Sequence, residues 1–222
     1  MAWRIALCLI IGYLCGSISF GYIIGRIKKV DIRKYGSGNL GTTNAIRTLG
    51  TKLGLLTFLG DLLKCMIPIL ILKYVFFREL DERPFYCLCT GLGAVLGHNF
   101  PFYLHFKGGK GIAVMSATIM TFDYRIAVIG AIVFFSVLLI TKYVSLSSLL
   151  LSLEFFITTV IFFWGNYKLI LLSAIFTSLA FYSHRTNIVR LIHGNENKIG
   201  KKVSTAVSSV DQKESSNNDT AS

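Results

Sequence analysis

The sequence predicts an all-α, polytopic integral membrane protein with seven transmembrane helices, its N-terminus outside and its C-terminus cytoplasmic. Three observations carry this. Of 222 residues, 53% are hydrophobic and only 15% charged, whereas a soluble domain has about 25% charged residues. The apolar residues stand in long blocks and not at amphipathic spacing, which suits lipid as the solvent. The formal net charge of +12 sits between those blocks and lines no single face, so the nucleic-acid reading that such a charge invites is set aside.

The first block runs from Trp3 to Ile24. Arg4 alone is too little for the basic start of a signal peptide, and the block is long enough to span, so a retained helix is expected. A basic segment follows, from Arg26 to Lys52, with Asp31 as its one acid. The second block, Leu53 to Phe77, ends in the polar turn Arg78 to Pro84, and the third reaches from Phe85 to about Leu104. After the loop Lys107-Gly-Gly-Lys-Gly111 the chain is apolar to Ile140, interrupted at Phe122-Asp-Tyr-Arg125. A helix over 112–122 would rise about 16 Å, roughly half the hydrocarbon thickness. A turn near Asp123 and a second helix from Ile126 to Ile140 are therefore predicted. The stretch Leu146 to Tyr182 divides in the same way at Trp164-Gly-Asn-Tyr-Lys168. Residues 1–203 form the membrane domain, and the Ser/Asn/Asp/Thr-rich stretch 204–222 reads as a disordered polar tail.

Orientation follows from basic residues, which collect on the cytoplasmic side. With the N-terminus outside, the inner segments 26–52, 105–111, 141–145 and the tail hold 16 of the 23 Lys and Arg residues. The five cysteines suggest apolar packing: Cys8, Cys15 and Cys65 lie inside apolar blocks, and Cys87-Leu-Cys89 has neither zinc nor redox spacing.

The unusual sequence gathers on the inner side, in three clusters. Gly36-Ser-Gly-Asn-Leu-Gly-Thr-Thr-Asn44, with Arg47 beyond it, can form a nest of backbone N–H groups and neutral donors for a phosphate; an ordinary Gly/Asn turn would look the same. It is no Walker A loop. Gly97-His-Asn-Phe-Pro101 with Lys107-Gly-Gly-Lys-Gly111 can bring two ammonium groups and free glycine N–H groups to one anion, or simply neutralise lipid headgroups. His98 at the end of its helix reads equally as structural or functional. In the third, His184, Asn187 and Arg190 fall at i, i+3, i+6 on one helical face, where they can orient a hydroxyl, accept its proton and bind phosphate; a basic surface tail is the alternative. Asp61 and Lys64 lie at i, i+3 inside an apolar block, where ionisable groups are functional candidates or a mutually satisfied pair. Glu154 has no obvious partner. No metal-ligand spacing is present. The HxxxxD pattern of many glycerolipid acyltransferases is missing too, since Tyr103, Lys110, Val189 and Lys198 stand five residues after the four histidines.

These three clusters resemble the signature motifs of the PlsY family, the bacterial acyl-phosphate:glycerol-3-phosphate acyltransferases. Gly60-Asp-Leu-Leu-Lys64 and Tyr143-Val-Ser-Leu146 resemble that family as well, and the likeness covers roughly residues 10 to 200 in order and spacing. Thr42, Cys65, Ser183 and Asn195 depart from its pattern. The resemblance implies transfer of a fatty acyl group from acyl-phosphate to the sn-1 hydroxyl of glycerol 3-phosphate, giving lysophosphatidate and phosphate. It implies no cofactor, no metal, a multi-pass bacterial cytoplasmic (inner) membrane location with the active site facing the cytoplasm, and coupling to an acyl-phosphate-producing enzyme. On that footing Ser37, His184 and Asn187 are the expected catalytic residues. Gly36, Gly38, Asn39, Thr43, Asn44, Arg47, Lys107, Gly108, Gly109, Lys110, Ser145 and Arg190 are expected to bind substrate phosphate, with His98, Asp61 and Lys64 as further candidates. An acyl-phosphate carries its own good leaving group, so two phosphates held close, an aimed hydroxyl and positive charge would suffice.

Overall fold

The computed structural model describes residues 1–199, and within them every regular element is helical. The expected tail 204–222, and the boundary before it, lie outside the described residues. In chain order the α-helices are α1 Ala2–Ser17, α2 Phe20–Ile27, α3 Thr42–Leu49, α4 Thr51–Ile71, α5 Arg83–Asn99, α6 Ile112–Phe122, α7 Tyr124–Thr141, α8 Val144–Phe162, α9 Tyr167–Ser183 and α10 Arg185–Ile192. Four stretches are long and apolar enough to cross a bilayer: Ala2–Ile27, Thr51–Phe76, Tyr124–Thr141 and Val144–Phe162. Helices α6 and α9 are apolar but shorter, with 11 and 17 residues, and α5 has 17 residues.

Both predicted divisions are present. Asp123 ends α6 and caps α7, accepting the Arg125 N–H at 2.9 Å and pairing with its guanidinium at 2.6 Å. The break between α8 and α9 turns at Gly165 with φ +87°, and Asn166 caps α9. The third block does not continue as helix to Leu104: α5 stops at Asn99, because Pro101 disfavours helical geometry in the residue before it.

The first block requires a larger correction. The single helix expected over residues 3–24 is two helices, broken at Ile18–Ser19, both of which are extended. The freed Ile18 carbonyl accepts the Lys64 ammonium at 2.6 Å, and the Ser19 N–H donates to the Tyr103 hydroxyl at 3.2 Å. Long-range partners thus replace two helical bonds, an arrangement tolerated in a membrane only where protein supplies the lost hydrogen bonds.

Helices α1 and α5 approach backbone to backbone. A Cβ on Gly12 would strike the Thr90 carbonyl, and one on Gly97 would strike the Tyr13 carbonyl. Small residues permit this contact where lipid supplies no hydrophobic drive between helices. The seam fixes the end of α5 beside the break after α1, and that corner is the floor of the site.

Candidate functional site

At the end of the bundle that carries the basic segments, one cavity of about 330 Å³ gathers the three sequence clusters. Its polar wall includes Ser37, Asn39, Thr43, Arg47, Lys110, His184, Asn187 and Arg190, and its apolar wall includes Leu55, Phe58, Phe134, Phe135 and Leu138. Helices α3, α6 and α8 all present their N-terminal turns to it through Thr42, Ile112 and Ser145. Three helix N-termini add partial positive charge and free N–H groups where the cations already stand.

The first cluster is held from below by Asn44, which is 1% exposed. Its Oδ1 accepts the Ser37 N–H at 2.8 Å, and its Nδ2 donates to the carbonyls of Ile32 and Tyr35 at 3.0 and 3.2 Å. Gly36 and Gly38 take φ of +61° and +69°, so the loop turns twice where L side chains are strained. Asn39 closes a local turn by accepting the Gly41 N–H at 2.9 Å. Asn44 therefore shapes the loop, while Ser37 and Arg47 face the cavity.

In the second cluster, Lys110 and Lys107 part company. Lys110 lines the cavity, whereas Lys107 is exposed and outside its lining. The glycines between them are not the free N–H donors expected: Gly108 donates to the Asn99 carbonyl and Gly109 to the His98 carbonyl, both at 3.0 Å. These bonds satisfy carbonyls left over at the end of α5. A Cβ on Gly109 would collide with His98 Nε2, so the loop lies directly on the His98 ring.

Beneath that loop is a buried ionic cluster, which meets the cavity lining through Asp61 and His98. Lys64 Nζ donates to Asp61 Oδ1 at 2.7 Å and to the Ile18 carbonyl at 2.6 Å, and contacts His98 Nδ1 at 2.9 Å. Asp61 is 1% exposed, Lys64 6% and His98 6%. The expected Asp61–Lys64 pair is present, and the structure adds the two partners that complete it.

The third cluster is the chemical one. His184 lies at the junction of α9 and α10, with Nδ1 at 2.8 Å from the Ala180 carbonyl. A carbonyl only accepts, so Nδ1 carries the proton and Nε2 keeps a free lone pair. Burial, with the nearby Lys110 charge, pushes the imidazole pKa down to about 4, so the ring is neutral near pH 7. Asn187 Oδ1 accepts from Lys110 Nζ, while its Nδ2 donates to Glu196 Oε1 at 2.7 Å. Arg190 Nε donates to Glu196 Oε2 at 2.7 Å. Burial pulls Lys110 down to about 8, offset by Glu196 and reinforced by Arg190 and Arg47. Burial likewise lowers the Arg47 guanidinium.

Three participants are additions to the residues expected. Glu196 is the hub of the third cluster, and its one sequence signal is that it is the sole acid between Glu154 and Asp211. Thr42 and the backbone of α6 also line the cavity. The Thr42 hydroxyl is buried without a hydrogen-bond partner among the described residues, and the Ser145 side chain helps to hold the Glu196 carboxyl below its usual range.

Residues 6–194 match the family described as Glycerol-3-phosphate acyltransferase. The chain belongs to that family. A glycerol-3-phosphate acyltransferase of Thermoanaerobacter pseudethanolicus is 41% identical over 194 residues, covering 87% of this chain and 94% of the relative. One from Bacillus subtilis is 40% identical over 196 residues, covering 88% and 97%. Two crystal structures of PlsY, an integral membrane glycerol 3-phosphate acyltransferase, superpose with TM-scores of 0.81 and 0.78. One is its glycerol 3-phosphate form and the other its lysophosphatidic acid form; each is 35% identical and covers 88% of this chain. The family suggested by the three motifs is thus the family found.

Proposed function

We propose that this protein transfers a fatty acyl group from acyl-phosphate to the sn-1 hydroxyl of glycerol 3-phosphate, releasing lysophosphatidate and inorganic phosphate. The observation that carries the reading is one cavity holding a neutral histidine acceptor, His184, beside Arg47, Lys110 and Arg190, against an apolar wall. Cations and helix N-termini suit two phosphate groups brought together. The apolar wall between α4 and α7 suits an acyl chain. Relatives named for acylation of glycerol 3-phosphate support the acceptor; the phosphate donor rests on the motif likeness and on the charge available for a second anion.

In this mechanism the acceptor hydroxyl oxygen attacks the acyl carbonyl carbon, and the bond from that carbon to the phosphate oxygen breaks. His184 Nε2 takes the hydroxyl proton. Lys110, Arg47 and Arg190 hold the phosphates and stabilise the charge that moves onto the departing phosphate. Ser37 and the α3 N-terminus orient the acceptor phosphate, and Ser145 does the same from α8. No covalent intermediate on the protein is needed, because the mixed anhydride already carries a good leaving group.

The reading also includes seven membrane crossings, with α1–α2 as one, and the cavity at the cytoplasmic face of a bacterial inner membrane. The excess of basic residues around the cavity supports this side. An acyl-phosphate-producing enzyme would supply the donor. The test uses purified protein in lipid, given glycerol 3-phosphate with acyl-phosphate or with acyl-CoA, while lysophosphatidate is followed. Product from acyl-phosphate alone is expected. No product from either donor overturns the reading, and equal use of acyl-CoA overturns the donor.

A further inference from the structure

The hub of the cationic cluster is a carboxylate. Glu196 stands on the irregular segment after α10, and its side chain is only 6% exposed. That segment is fastened over the cavity: the Asn195 N–H donates to the Arg190 carbonyl at 2.8 Å, and the Ile199 N–H donates to the Lys142 carbonyl at 2.9 Å. Arg47 reaches the Asn197 carbonyl at 3.4 Å. An anion fixed inside an anion-binding site works against substrate unless it serves the site in another way.

The hydrogen bonds show what it serves. An asparagine amide has a donor end and an acceptor end that nothing in its shape distinguishes. Here the carbonyl end meets an ammonium, Lys110, and the amino end meets a carboxylate, Glu196. Turning the amide over would set NH₂ against NH₃⁺ and C=O against COO⁻, two repulsive contacts in place of two charge-assisted bonds. The other carboxylate oxygen takes Arg190 Nε, which leaves the terminal nitrogens of that guanidinium for ligand. One carboxylate therefore sets the aim of an amide, an ammonium and a guanidinium.

We infer that Glu196 is a positioning residue for the acyl transfer: it holds Asn187 in one amide orientation and is the fixed counter-charge for Lys110 and Arg190. The inference rests on the acyltransfer reading above. Lys110 is faced by Arg47 from α3, by Asn187 and Arg190 from α10, by His184 at the α9–α10 junction and by Glu196; Asp61 of α4 and His98 of α5 line the same cavity. Among these groups, Glu196 opposes the burial and the two guanidinium charges that drive the Lys110 proton off. Without that carboxylate, Lys110 loses its charge at lower pH, and with it the ability to hold phosphate.

The experiment compares pH profiles of kcat/KM for wild type, Glu196→Gln, Lys110→Arg and the double variant, in lipid. Glutamine keeps the size and removes the charge. The alkaline limb is expected to move about one pH unit or more toward neutrality in Glu196→Gln, while the acid limb moves, if at all, to lower pH, because the same carboxylate supports the protonated form of His184. In the Lys110→Arg background, where the guanidinium stays charged, Glu196→Gln should leave the alkaline limb where it is. The same shift is read without turnover by following the rate of Lys110 acetylation against pH by peptide mass spectrometry, which serves for any inactive variant. A wild type with no turnover brings down the acyltransfer reading itself. An active wild type whose alkaline limb and Lys110 labelling curve are both unchanged by Glu196→Gln overturns the inference, as does an equal shift in the Lys110→Arg background.

Discussion

Two polar clusters lie close together at the same end of this bundle and are built on opposite principles. In the Asp61–Lys64–His98 cluster, one negative and one positive charge cancel, and the ammonium's three hydrogens face a carboxylate, a carbonyl and a ring nitrogen. Its members sit on the long helices α4 and α5. In the cluster of Arg47, Lys110, Asn187, Arg190 and Glu196, three cations face one carboxylate, and the His184 Nε2 lone pair is unspent. Its members sit on short helices, a loop and a strap. A buried polar group is thus no sign of a site by its presence alone. Valence left over, and charge left unbalanced, mark the cluster that waits for a ligand; the balanced one holds α1, α4 and α5 together.

This contrast can be broken in stages. The largest effect is expected from Lys64→Met, which strands Asp61 as a buried charge and leaves the Ile18 carbonyl bare. Removing one partner of a buried pair costs about 3–5 kcal/mol, so the variant should lose its thermal transition in detergent and its yield in membranes. A Lys64→Met protein with wild-type melting would refute the clamp. His184→Ala should do the reverse, keeping the melting temperature while turnover falls roughly 10²- to 10⁴-fold. Near wild-type turnover would remove His184 as the proton acceptor.

The pH profile comes next. His184 must be neutral, which it is above about pH 4, and Lys110 must be protonated, which fails as pH rises through about 8. The product of the two is a bell, and kcat/KM should drop about tenfold per unit beyond its alkaline edge. A profile flat from pH 7 to 10 would show that Lys110 carries no needed charge. The smallest effect separates the two loop lysines. Lys110→Ala should raise KM for glycerol 3-phosphate by about tenfold or more, in line with loss of a charge-assisted contact, while exposed Lys107→Ala should change it by under about threefold. Equal effects would place Lys107 on the substrate after all.

Much of this was legible in the chain. Periodicity and block length located the turns at Asp123 and at residues 164–168, because a polar interruption in lipid has few other meanings. The three motifs marked the cavity walls, since separate basic and polar clusters between apolar blocks suit one shared anionic ligand. The rest depends on partners distant in sequence. Gly16-Ser-Ile-Ser-Phe-Gly21 carries only a weak break signal inside a block long enough to span, and the partners that fix the break lie far off at Lys64 and Tyr103. Gly108 and Gly109 looked like phosphate-binding glycines, but their N–H groups close the end of α5, a choice set by where the loop folds back. Glu196 stands alone in a basic stretch, and only the position of the strap turns that isolation into a hub.

The break at Ile18–Ser19 also has a consequence for how the protein is made. The stretch Ala2–Ile27 has 26 residues, and it enters the bilayer before Lys64 and Tyr103 have been made. A bare carbonyl has no partner in hydrocarbon, so the isolated segment is most stable as one unbroken helix. Its bend becomes favourable only when Lys64 arrives, 46 positions later, and Tyr103, 84 positions after Ser19. A segment synthesised ahead of its partners therefore takes its final shape only after they arrive, and a nascent chain stopped before residue 64 would hold it straight.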